Sequence, residues 1–298
     1  IGIEQMSGIC DGRVIIITGA GGGLGREYAL AFGAAGAKVL VNDINAQAAA
    51  DTVADIEGAG GHALANTQDI TNYEQSESIV RTAIDHFGDL HVVINNAGVC
   101  RDRMFASMTE TEWDQVISVH LKGHFCISSH AVHYWRDQFK QGHQVDARIV
   151  NTSSGAGLNG SIGQSNYAAA KGGIASLTLN QAAELRRYGI TVNGLAPAAR
   201  TGMSEDAFAD MMKKPEDGSF DHYSPANVAP LVVWLGSKHS ADCTGRLFEA
   251  VGGEISMADG WRSTPSVDKG AKWQAEEIGE AVQVLMSREI PAQKVYGT

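Results

Sequence analysis

The feature that most constrains the fold of this chain is a β-branched run that leads directly into a glycine-rich turn. Residues 13–18 read RVIIIT, with no alternation of polar and apolar side chains. Such a run is typical of a strand that is buried on both faces of a parallel sheet. The glycine-rich turn covers residues 19–25, and residues 26–35 then have helical spacing. Because a helix N-terminus offers free backbone N–H groups and the positive end of the helix dipole, this unit predicts a site for an anion such as a phosphate.

Similar strands alternate with helical segments along the rest of the chain. This alternation predicts an α/β fold, a single doubly wound Rossmann domain with a mostly parallel seven-stranded sheet and helices on both faces. No linker divides the chain, so one domain is expected over residues 10–260. Residues 261–298 are predicted to be an extension, with helical spacing from 272 to 288, that packs on this domain or on a neighbouring subunit. After the first strand, further strands are predicted at residues 38–42, 62–65, 91–95, 148–151, 190–195 and 246–251.

Two predicted strands end in residues that suit a nucleotide site. Asp43 ends the second strand, where an acid accepts hydrogen bonds from the adenosine ribose hydroxyls. Its charge would repel a 2′-phosphate, which favours NAD over NADP; an N-cap for the helix that starts near Ala46 is the alternative explanation. The fourth strand ends at Asn95, and residues 96–98 read NAG. Polar amides and a glycine at such a strand end belong where ligands bind in an open α/β sheet, although a structural turn explains Asn95 equally well.

A serine, a tyrosine and a lysine supply the equipment for moving a proton on or off an alcohol. Tyr167 and Lys171 are four residues apart on a helix predicted over residues 164–187, so they share one face. A free phenol titrates near pH ~10, and a nearby ammonium lowers that pKa by favouring the phenolate. Ser154 follows the strand at 148–151 and can donate a hydrogen bond to a substrate oxygen. An exposed tyrosine and lysine on a surface helix is the plainer explanation for these residues taken alone.

The charge and cysteine content exclude several functional classes. The 23 basic and 34 acidic residues give a net charge of −11, which argues against general binding to nucleic acid or to anionic membranes. The four cysteines show no CxxC spacing, so neither a disulfide scaffold nor a metal site is expected, and a reducing cytoplasm is the predicted location. In so acidic a protein, an anionic substrate would need local cations. Arg101, Arg103, Lys213 and Lys214 are candidates, and a solvated surface charge is the alternative explanation for each.

The separate motifs occur together in an order and spacing that resemble those of the short-chain dehydrogenase/reductase family. They are TGAGGGLG at residues 18–25, NNAG at 95–98, Ser154, and Tyr167-x-x-x-Lys171. The resemblance covers about residues 10–260. It implies that Tyr167 is the catalytic acid/base, that Lys171 holds the nicotinamide ribose and lowers the pKa of the tyrosine, and that Ser154 orients the substrate oxygen. It also implies a homodimer or homotetramer.

The same resemblance implies which residues hold the NAD cofactor. Asp69 and Ile70 are expected to line the adenine pocket, and Tyr167 and Lys171 to contact the cofactor as well as the substrate. The remaining expected contacts are Gly19, Gly23, Leu24, Gly25, Asp43, Asn95, Ala97, Gly98 and Pro197.

A narrower resemblance is to the (3R)-hydroxyacyl-CoA dehydrogenase part of peroxisomal multifunctional enzyme type 2 and its stand-alone actinobacterial relatives. It rests on residues 41–43 (VND), 119–123 (VHLKG), 227–235 (NVAPLVVWL) and 245–249 (GRLFE). It implies that the substrate is a 3-hydroxyacyl-CoA, with a fatty acyl or steroid side-chain group. His120 lies in a long helix predicted over residues 112–138, at the position where most of the superfamily has the asparagine that completes a proton relay. We interpret His120 as a variant of that relay; a packing histidine is the alternative.

Two questions stay open at the level of sequence. Residues 199–223 break the α/β pattern and suit either a lid over an apolar substrate or a surface helix that packs its methionines inward. The substrate could also be a free steroid or another small alcohol. A third alternative, a protein that binds NAD without turnover, is disfavoured because both Tyr167 and Lys171 are present.

Overall fold

A computed structural model describes residues 8–200, 212–260, 263, 265–270, 274, 277–288 and 294–296 of the chain. Within these residues the backbone forms one eight-stranded sheet in the order β3-β2-β1-β4-β5-β6-β7-β8. All neighbouring strands are parallel except β7 and β8, which are antiparallel. The strands are Val14–Thr18 (β1), Lys38–Asn42 (β2), His62–Asn66 (β3), Val92–Asn95 (β4), Ala147–Thr152 (β5), Ile190–Pro197 (β6), Leu247–Val251 (β7) and Glu254–Ala258 (β8).

Helices cover both faces of this sheet, as the strand composition predicted. Alternate residues of β1 enter opposite cores: Ile15 packs in the core that includes Phe32 of the first helix, and Ile16 in the core that includes Trp135. The doubly wound fold is therefore confirmed. The α-helices of the described residues are Gly23–Ala34 (α1), Ala46–Gly58 (α2), Tyr73–Phe87 (α3), Glu110–Ile117 (α4), Gly123–Lys140 (α5), Gly155–Asn159 (α6), Ser165–Leu185 (α7), Ala229–Gly236 (α8) and Ile278–Met286 (α9).

The sheet has one strand more than predicted. Strand β8 pairs with β7 across a tight turn at Gly252 and Gly253, and its apolar side chains Ile255 and Met257 are exposed. An edge strand of this kind lacks the continuous apolar run by which the other strands were found. The two adjacent glycines before an alternating segment are the signal that could have indicated a hairpin.

The long helix predicted over residues 112–138 is present, and it contains a π-helical turn that the sequence did not predict. The segment divides into α4, a π-helical turn at Ser118–Lys122, and α5. Helix α4 begins with a capping box, in which Thr109 accepts a hydrogen bond from Glu112 N–H and the Glu112 carboxylate accepts one from Thr109 N–H. The π-helical turn contains His120. Such turns are rare and occur frequently at functional sites.

The irregular segment and the terminal extension are only partly described. Residues 201–211 of the hypothesised lid lie outside the described residues; beside them, Arg200 forms an ion pair with Asp221 and its N–H donates to Tyr223 O. In the extension, α9 falls within the predicted helical stretch, of which residues 272, 273, 275 and 276 lie outside the described residues. All four cysteines are free thiols. Where the chain is described, none of its helices combines the length and the apolar character needed to cross a membrane.

Candidate active site

The carboxyl ends of β4, β5 and β6 meet at one edge of the sheet, and the catalytic candidates gather there. Ser154 lies directly after β5 and is the N-cap of α6, where its Oγ accepts a hydrogen bond from Ala156 N–H at 3.2 Å. Helix α7 carries Tyr167 and Lys171 on one face. Ser154 and Tyr167 are joined by a hydrogen bond between their side chains. The three residues are therefore neighbours in space as the motif spacing predicted, although their catalytic roles stay predictions.

Lys171 is anchored to the end of β5. Its side chain is buried, and Nζ donates a hydrogen bond to Thr152 O at 2.6 Å. Nζ lies 5.4 Å from the centroid of the Tyr167 ring. This arrangement places the lysine beside the tyrosine ring at the carboxyl edge of the sheet.

Burial dominates the ionisation of both groups. Desolvation raises the pKa of Tyr167 to about 12, against a smaller lowering effect of the hydrogen bond with Ser154. Desolvation also lowers the pKa of Lys171 to about 7. Burial therefore sets the pKa of Tyr167 in this structure. The lowering effect of Lys171 on that pKa stays a prediction. At neutral pH Tyr167 is a phenol, the form that donates a proton.

His120 lies between the NNAG loop and Tyr167. It is 1% exposed, and its ring contacts the Tyr167 ring edge-on, with 5.1 Å between the centroids. Nε2 lies 2.8 Å from Val99 O and 3.1 Å from Val99 N, so one tautomer donates to the carbonyl and the other accepts from the N–H. Within the described part of the chain, Nδ1 is buried without a hydrogen-bond partner.

The imidazole of His120 is neutral. Burial lowers its pKa to about 3, and the charge of Lys171 acts in the same direction. A neutral ring with one buried nitrogen free among the described residues can exchange a proton with a water molecule. Its position beside Tyr167 and Lys171 suits the relay hypothesis better than the packing alternative, and the relay stays a prediction.

The sequence reasoning missed Asn166, which is hydrogen-bonded to the backbone of Tyr167. Its buried side chain accepts a hydrogen bond from Tyr167 N–H at 2.8 Å. Its Nδ2 donates to Arg101 O at 3.0 Å and to Glu112 O at 3.2 Å. Asn166 therefore ties the start of α7 to helix α4 and to the loop after β4. The only signal in the sequence is its place directly before Tyr167.

The turn between β1 and α1 fits the pyrophosphate of a nicotinamide coenzyme. Helix α1 begins at Gly23, and among the described residues no side chain caps its N-terminus. A Cβ on Gly22 would meet no described atom within 4 Å, so the turn faces open space. Gly19 has a left-handed backbone (φ 64°), and a Cβ there would lie 2.7 Å from Ala97 Cα. Gly25 packs its Cα against the carbonyl of Gly19, which leaves no room for a side chain. Leu24 lies between Gly23 and Gly25 on the first turn of the helix.

Asp43 joins the second strand to this turn. Its Oδ2 accepts a hydrogen bond from Gly21 N–H at 2.9 Å, and its Oδ1 accepts one from Asn45 N–H at 2.9 Å. The alternative interpretation of Asp43 as an N-cap is wrong, because Asn45 caps α2 by accepting from Ala48 N–H. The carboxylate thus lies at the end of β2 beside the glycine turn, where a ribose-binding acid belongs.

Asn96 and Thr18 form a clamp on the glycine turn that the sequence reasoning did not identify. Asn96 Nδ2 donates to Thr18 O at 3.1 Å and to Gly19 O at 3.3 Å. Thr18 Oγ1 accepts from the N–H groups of Asn96, at 3.0 Å, and of Ala97, at 3.1 Å. Of the two adjacent asparagines, Asn96 therefore contacts the glycine turn.

Asn95 faces the core instead. Its Nδ2 donates to Ser128 Oγ at 2.9 Å and to Asn151 Oδ1 at 3.0 Å, and Asn151 in turn donates to Thr178 and Gln181. This buried network links β4 and β5 to α5 and α7. The side chain of Asn95 thus has the structural role that the sequence left open, and a contact with the cofactor stays a prediction.

The other predicted cofactor residues also lie at the carboxyl edge of the sheet. Asp69 and Ile70 follow β3; Asp69 Oδ1 accepts from Thr71 N–H at 2.8 Å. The buried Ile70 approaches Gly123, where a Cβ would lie 2.7 Å from Ile70 Cδ1. Pro197 is the last residue of β6. Gly98 packs against the His120 ring, so that a Cβ there would lie 3.0 Å from Nδ1.

Two of the candidate cations, Arg101 and Arg103, are engaged by neighbours. Arg103 forms an ion pair with Glu112, with 2.9 Å between Nη2 and Oε1. Arg101 Nε donates to Gln115 Oε1 at 2.8 Å. To bind an anionic substrate, Arg103 would have to share or exchange this carboxylate.

The fold, the glycine turn and the Ser154–Tyr167–Lys171 group define a short-chain dehydrogenase. The sequence profile of the family described as short chain dehydrogenase matches residues 13–212, and the chain belongs to that family. It is an oxidoreductase of the kind that uses a nicotinamide coenzyme, which supplies the hydride acceptor or donor when bound.

Several individual proteins are similar to the chain over most of its length. The chain is 39% identical to the hydroxyacyl-CoA dehydrogenase ChsB1 of Mycobacterium tuberculosis over 299 residues, covering 96% of this chain and 92% of that protein. It is 42% identical to peroxisomal multifunctional enzyme type 2 of Mus musculus over 254 residues, covering 82% of this chain but 32% of that larger protein. A crystal structure of a short chain dehydrogenase from Mycobacterium avium superposes with a TM-score of 0.90 at 50% identity, covering 98% of this chain and 100% of that one.

Proposed function

We propose that the protein oxidises the 3-hydroxyl group of a 3-hydroxyacyl-CoA to the 3-ketoacyl-CoA, with NAD as the coenzyme. The observation that carries this proposal is the similarity to a hydroxyacyl-CoA dehydrogenase over nearly the whole of both chains. The grouping of Ser154, Tyr167 and Lys171 at the sheet edge supports a reaction at a secondary alcohol. A free steroid or other small alcohol is the second candidate, because the same three side chains would serve it.

The geometry suggests how the residues divide the work. Ser154 and Tyr167 hydrogen-bond to each other, so their two hydroxyl groups converge on the place where the alcohol oxygen would lie. In the oxidation direction Tyr167 takes the hydroxyl proton, and in the reduction direction it donates one. Because burial favours the phenol, oxidation is expected to speed up as the pH rises and reduction as it falls. Lys171, together with a water near His120, then returns the proton to solvent.

The preference for NAD rests on Asp43. Its carboxylate lies at the end of β2, held by Gly21 N–H and Asn45 N–H, and it is partly exposed. A second negative charge from a 2′-phosphate would be repelled there. The neighbouring side chains along the chain, Asn42 and Ile44, carry no positive charge that could offset that repulsion.

We also propose a homodimer or homotetramer, with a cytoplasmic location. Support for the assembly comes from large apolar side chains exposed on helices that flank the site, Phe125 on α5 and Leu179 on α7, which are 52% and 57% exposed. Exposed apolar surface of this kind is commonly covered by a partner. Free thiols at all four cysteines are compatible with a reducing compartment.

The deciding experiment measures NADH formation with 3-hydroxyacyl-CoA esters and with a panel of free secondary alcohols. The proposal expects kcat/KM to be highest for the CoA esters; higher values for a free alcohol would favour the second candidate. In Tyr167→Phe, kcat should fall by about 10²- to 10⁴-fold, while NADH binding followed by fluorescence changes little. The matched control is Tyr73→Phe, which removes a hydroxyl that bonds Ser129 on the exposed surface and should keep wild-type kcat. Substantial turnover by Tyr167→Phe would contradict the assignment.

A further inference from the structure

Residues 294–296 pair with the loop that follows Ser154. Tyr296 N–H donates to Gly160 O at 3.2 Å, and Ile162 N–H donates to Tyr296 O at 3.0 Å. These bonds form a parallel β-bridge between Ser161 and Tyr296. Val295 packs beside them, with its Cγ1 3.4 Å from where a Cβ on Gly160 would lie. The segment is thus fixed by its backbone to the loop that joins Ser154 to α7.

These backbone contacts place the phenol ring of Tyr296 against Gly155, the residue next to Ser154. A Cβ on Gly155 would lie 2.5 Å from Tyr296 Oη, 3.0 Å from Cε2 and 3.1 Å from Cζ. The ring therefore occupies the volume into which a side chain at residue 155 would project. Ser154 in turn bonds to Tyr167, so the ring stands one residue away from the proton-transfer pair.

We propose that Tyr296 forms a wall of the substrate pocket and limits the size of the group attached to the carbinol carbon. This inference rests on the proposed function for the chemistry of the substrate, an alcohol held by Ser154 and Tyr167. Tyr296 is 48% exposed, and its backbone is hydrogen-bonded to the loop on both sides, which holds the ring beside Gly155. A wall of this kind favours a compact apolar substituent and excludes a bulky one. Tyr296 is a specificity-determining residue rather than a catalytic one.

Three variants test the wall, each compared by NADH formation on matched substrate pairs. Tyr296→Ala removes the ring, and Tyr296→Phe keeps the ring without the hydroxyl. Gly155→Ala displaces the ring from the opposite side, since its Cβ takes the place of the phenol end. One pair is 3-hydroxybutanoyl-CoA and 3-cyclohexyl-3-hydroxypropanoyl-CoA, and the other is 2-propanol and 1-cyclohexylethanol. In both pairs a methyl group at the carbinol carbon becomes a cyclohexyl group. Any affinity tag belongs at the N-terminal side, away from residue 296.

The measured quantity is the ratio of kcat/KM for the cyclohexyl substrate to that for the methyl substrate. Tyr296→Ala should raise this ratio about 10-fold or more, the scale of discrimination by a few carbon atoms in an apolar pocket. Tyr296→Phe should keep the wild-type ratio. Gly155→Ala should raise it, and adding Gly155→Ala to Tyr296→Ala should change nothing further, because both remove the same contact. NADH affinity and Tm are the checks that the coenzyme site and the fold are intact.

The outcomes separate this inference from the proposed function. If the wild type prefers free alcohols, the assignment to acyl-CoA fails, yet the alcohol pair still tests the wall. If Tyr296→Ala folds, binds NADH and keeps the wild-type ratio in both pairs, Tyr296 is not part of the substrate pocket. Independent, additive effects of the Gly155 and Tyr296 changes would equally overturn the proposal.

Discussion

Replacing Gly98 by alanine tests how His120 is held in the active site. The added Cβ would lie 3.0 Å from His120 Nδ1 and 3.1 Å from Nε2, and closer still to Cε1. The ring has little room to retreat, because it is buried, contacts the Tyr167 ring and bonds to Val99 through Nε2. Overpacking of a buried site costs about 1–3 kcal/mol.

That cost translates into two measurable changes. For a chain of this size 1 kcal/mol shifts Tm by about 2–4 °C, so Gly98→Ala should lower Tm by about 2–12 °C in a thermal-shift assay. Moving the ring against Tyr167 should also lower kcat by about 10- to 100-fold, the scale associated with small displacements of catalytic groups.

Two further variants isolate the clash. Gly58→Ala at the end of α2 is the matched control, since a Cβ there meets no described atom within 4 Å, and its Tm should stay the same or rise slightly. In a His120→Ala background the atoms that the new Cβ strikes are gone, so Gly98→Ala should then cost less than about 0.5 kcal/mol. A clash with the imidazole is ruled out if Gly98→Ala behaves like Gly58→Ala, or if the loss of stability persists in the His120→Ala background.

Two more predictions concern the charge at Asp43 and the ionisation of His120. Asp43→Asn keeps an acceptor for Gly21 N–H but removes the negative charge, so the ratio of kcat/KM with NAD to that with NADP should fall about 10-fold or more in steady-state assays; an unchanged ratio would show that the carboxylate does not select the coenzyme. His120 has a pKa of about 3 in the folded protein and near ~6.5 when unfolded. Between these values the unfolded state binds more protons, so folding loses stability as the pH falls. His120→Asn lacks this loss, and its Tm relative to wild type should rise between about pH 7 and about pH 5; a constant difference would contradict the buried neutral histidine.

The central part of the fold was predictable because it depends on local patterns. The run of β-branched residues before Gly19 requires cover on both faces, and helical spacing between strands supplies that cover. The same patterns place Asp43, Gly98 and Ser154 at strand ends, where parallel strands bring them together. The polar turn residues of the sequence are thereby assigned to one edge of the sheet without any knowledge of tertiary contacts.

What escaped prediction depends on contacts between distant residues. The helical periodicity of residues 112–138 continues through the π-helical turn, so nothing local marks the interruption. Asn95 and Asn96 look alike in the sequence, and only the packing decides that one enters the core and the other the glycine turn. The pKa of Tyr167 could not be inferred from the nearness of Lys171, because the depth of burial is set by the whole fold.

The contact of Tyr296 with Gly155 is another feature that the sequence could not predict. Gly155 and Tyr296 lie far apart in the sequence, and no sequence motif accompanies their contact. The absence of a side chain at Gly155 is the only local trace of the contact.

The π-helical turn at Ser118–Lys122 also fixes the rotational phase of the helices on either side. One additional residue in a turn rotates everything beyond it by about 100° relative to an uninterrupted α-helix. The rotation of α5 about its axis is fixed by the buried Trp135, whose Nε1–H donates to Leu90 O at 2.7 Å. The rotation of the π-helical turn is fixed by the contact of His120 with Val99. Deleting a residue within the turn would therefore force a choice between these two contacts. The length of this segment, more than its composition, is the property that keeps the imidazole beside the tyrosine.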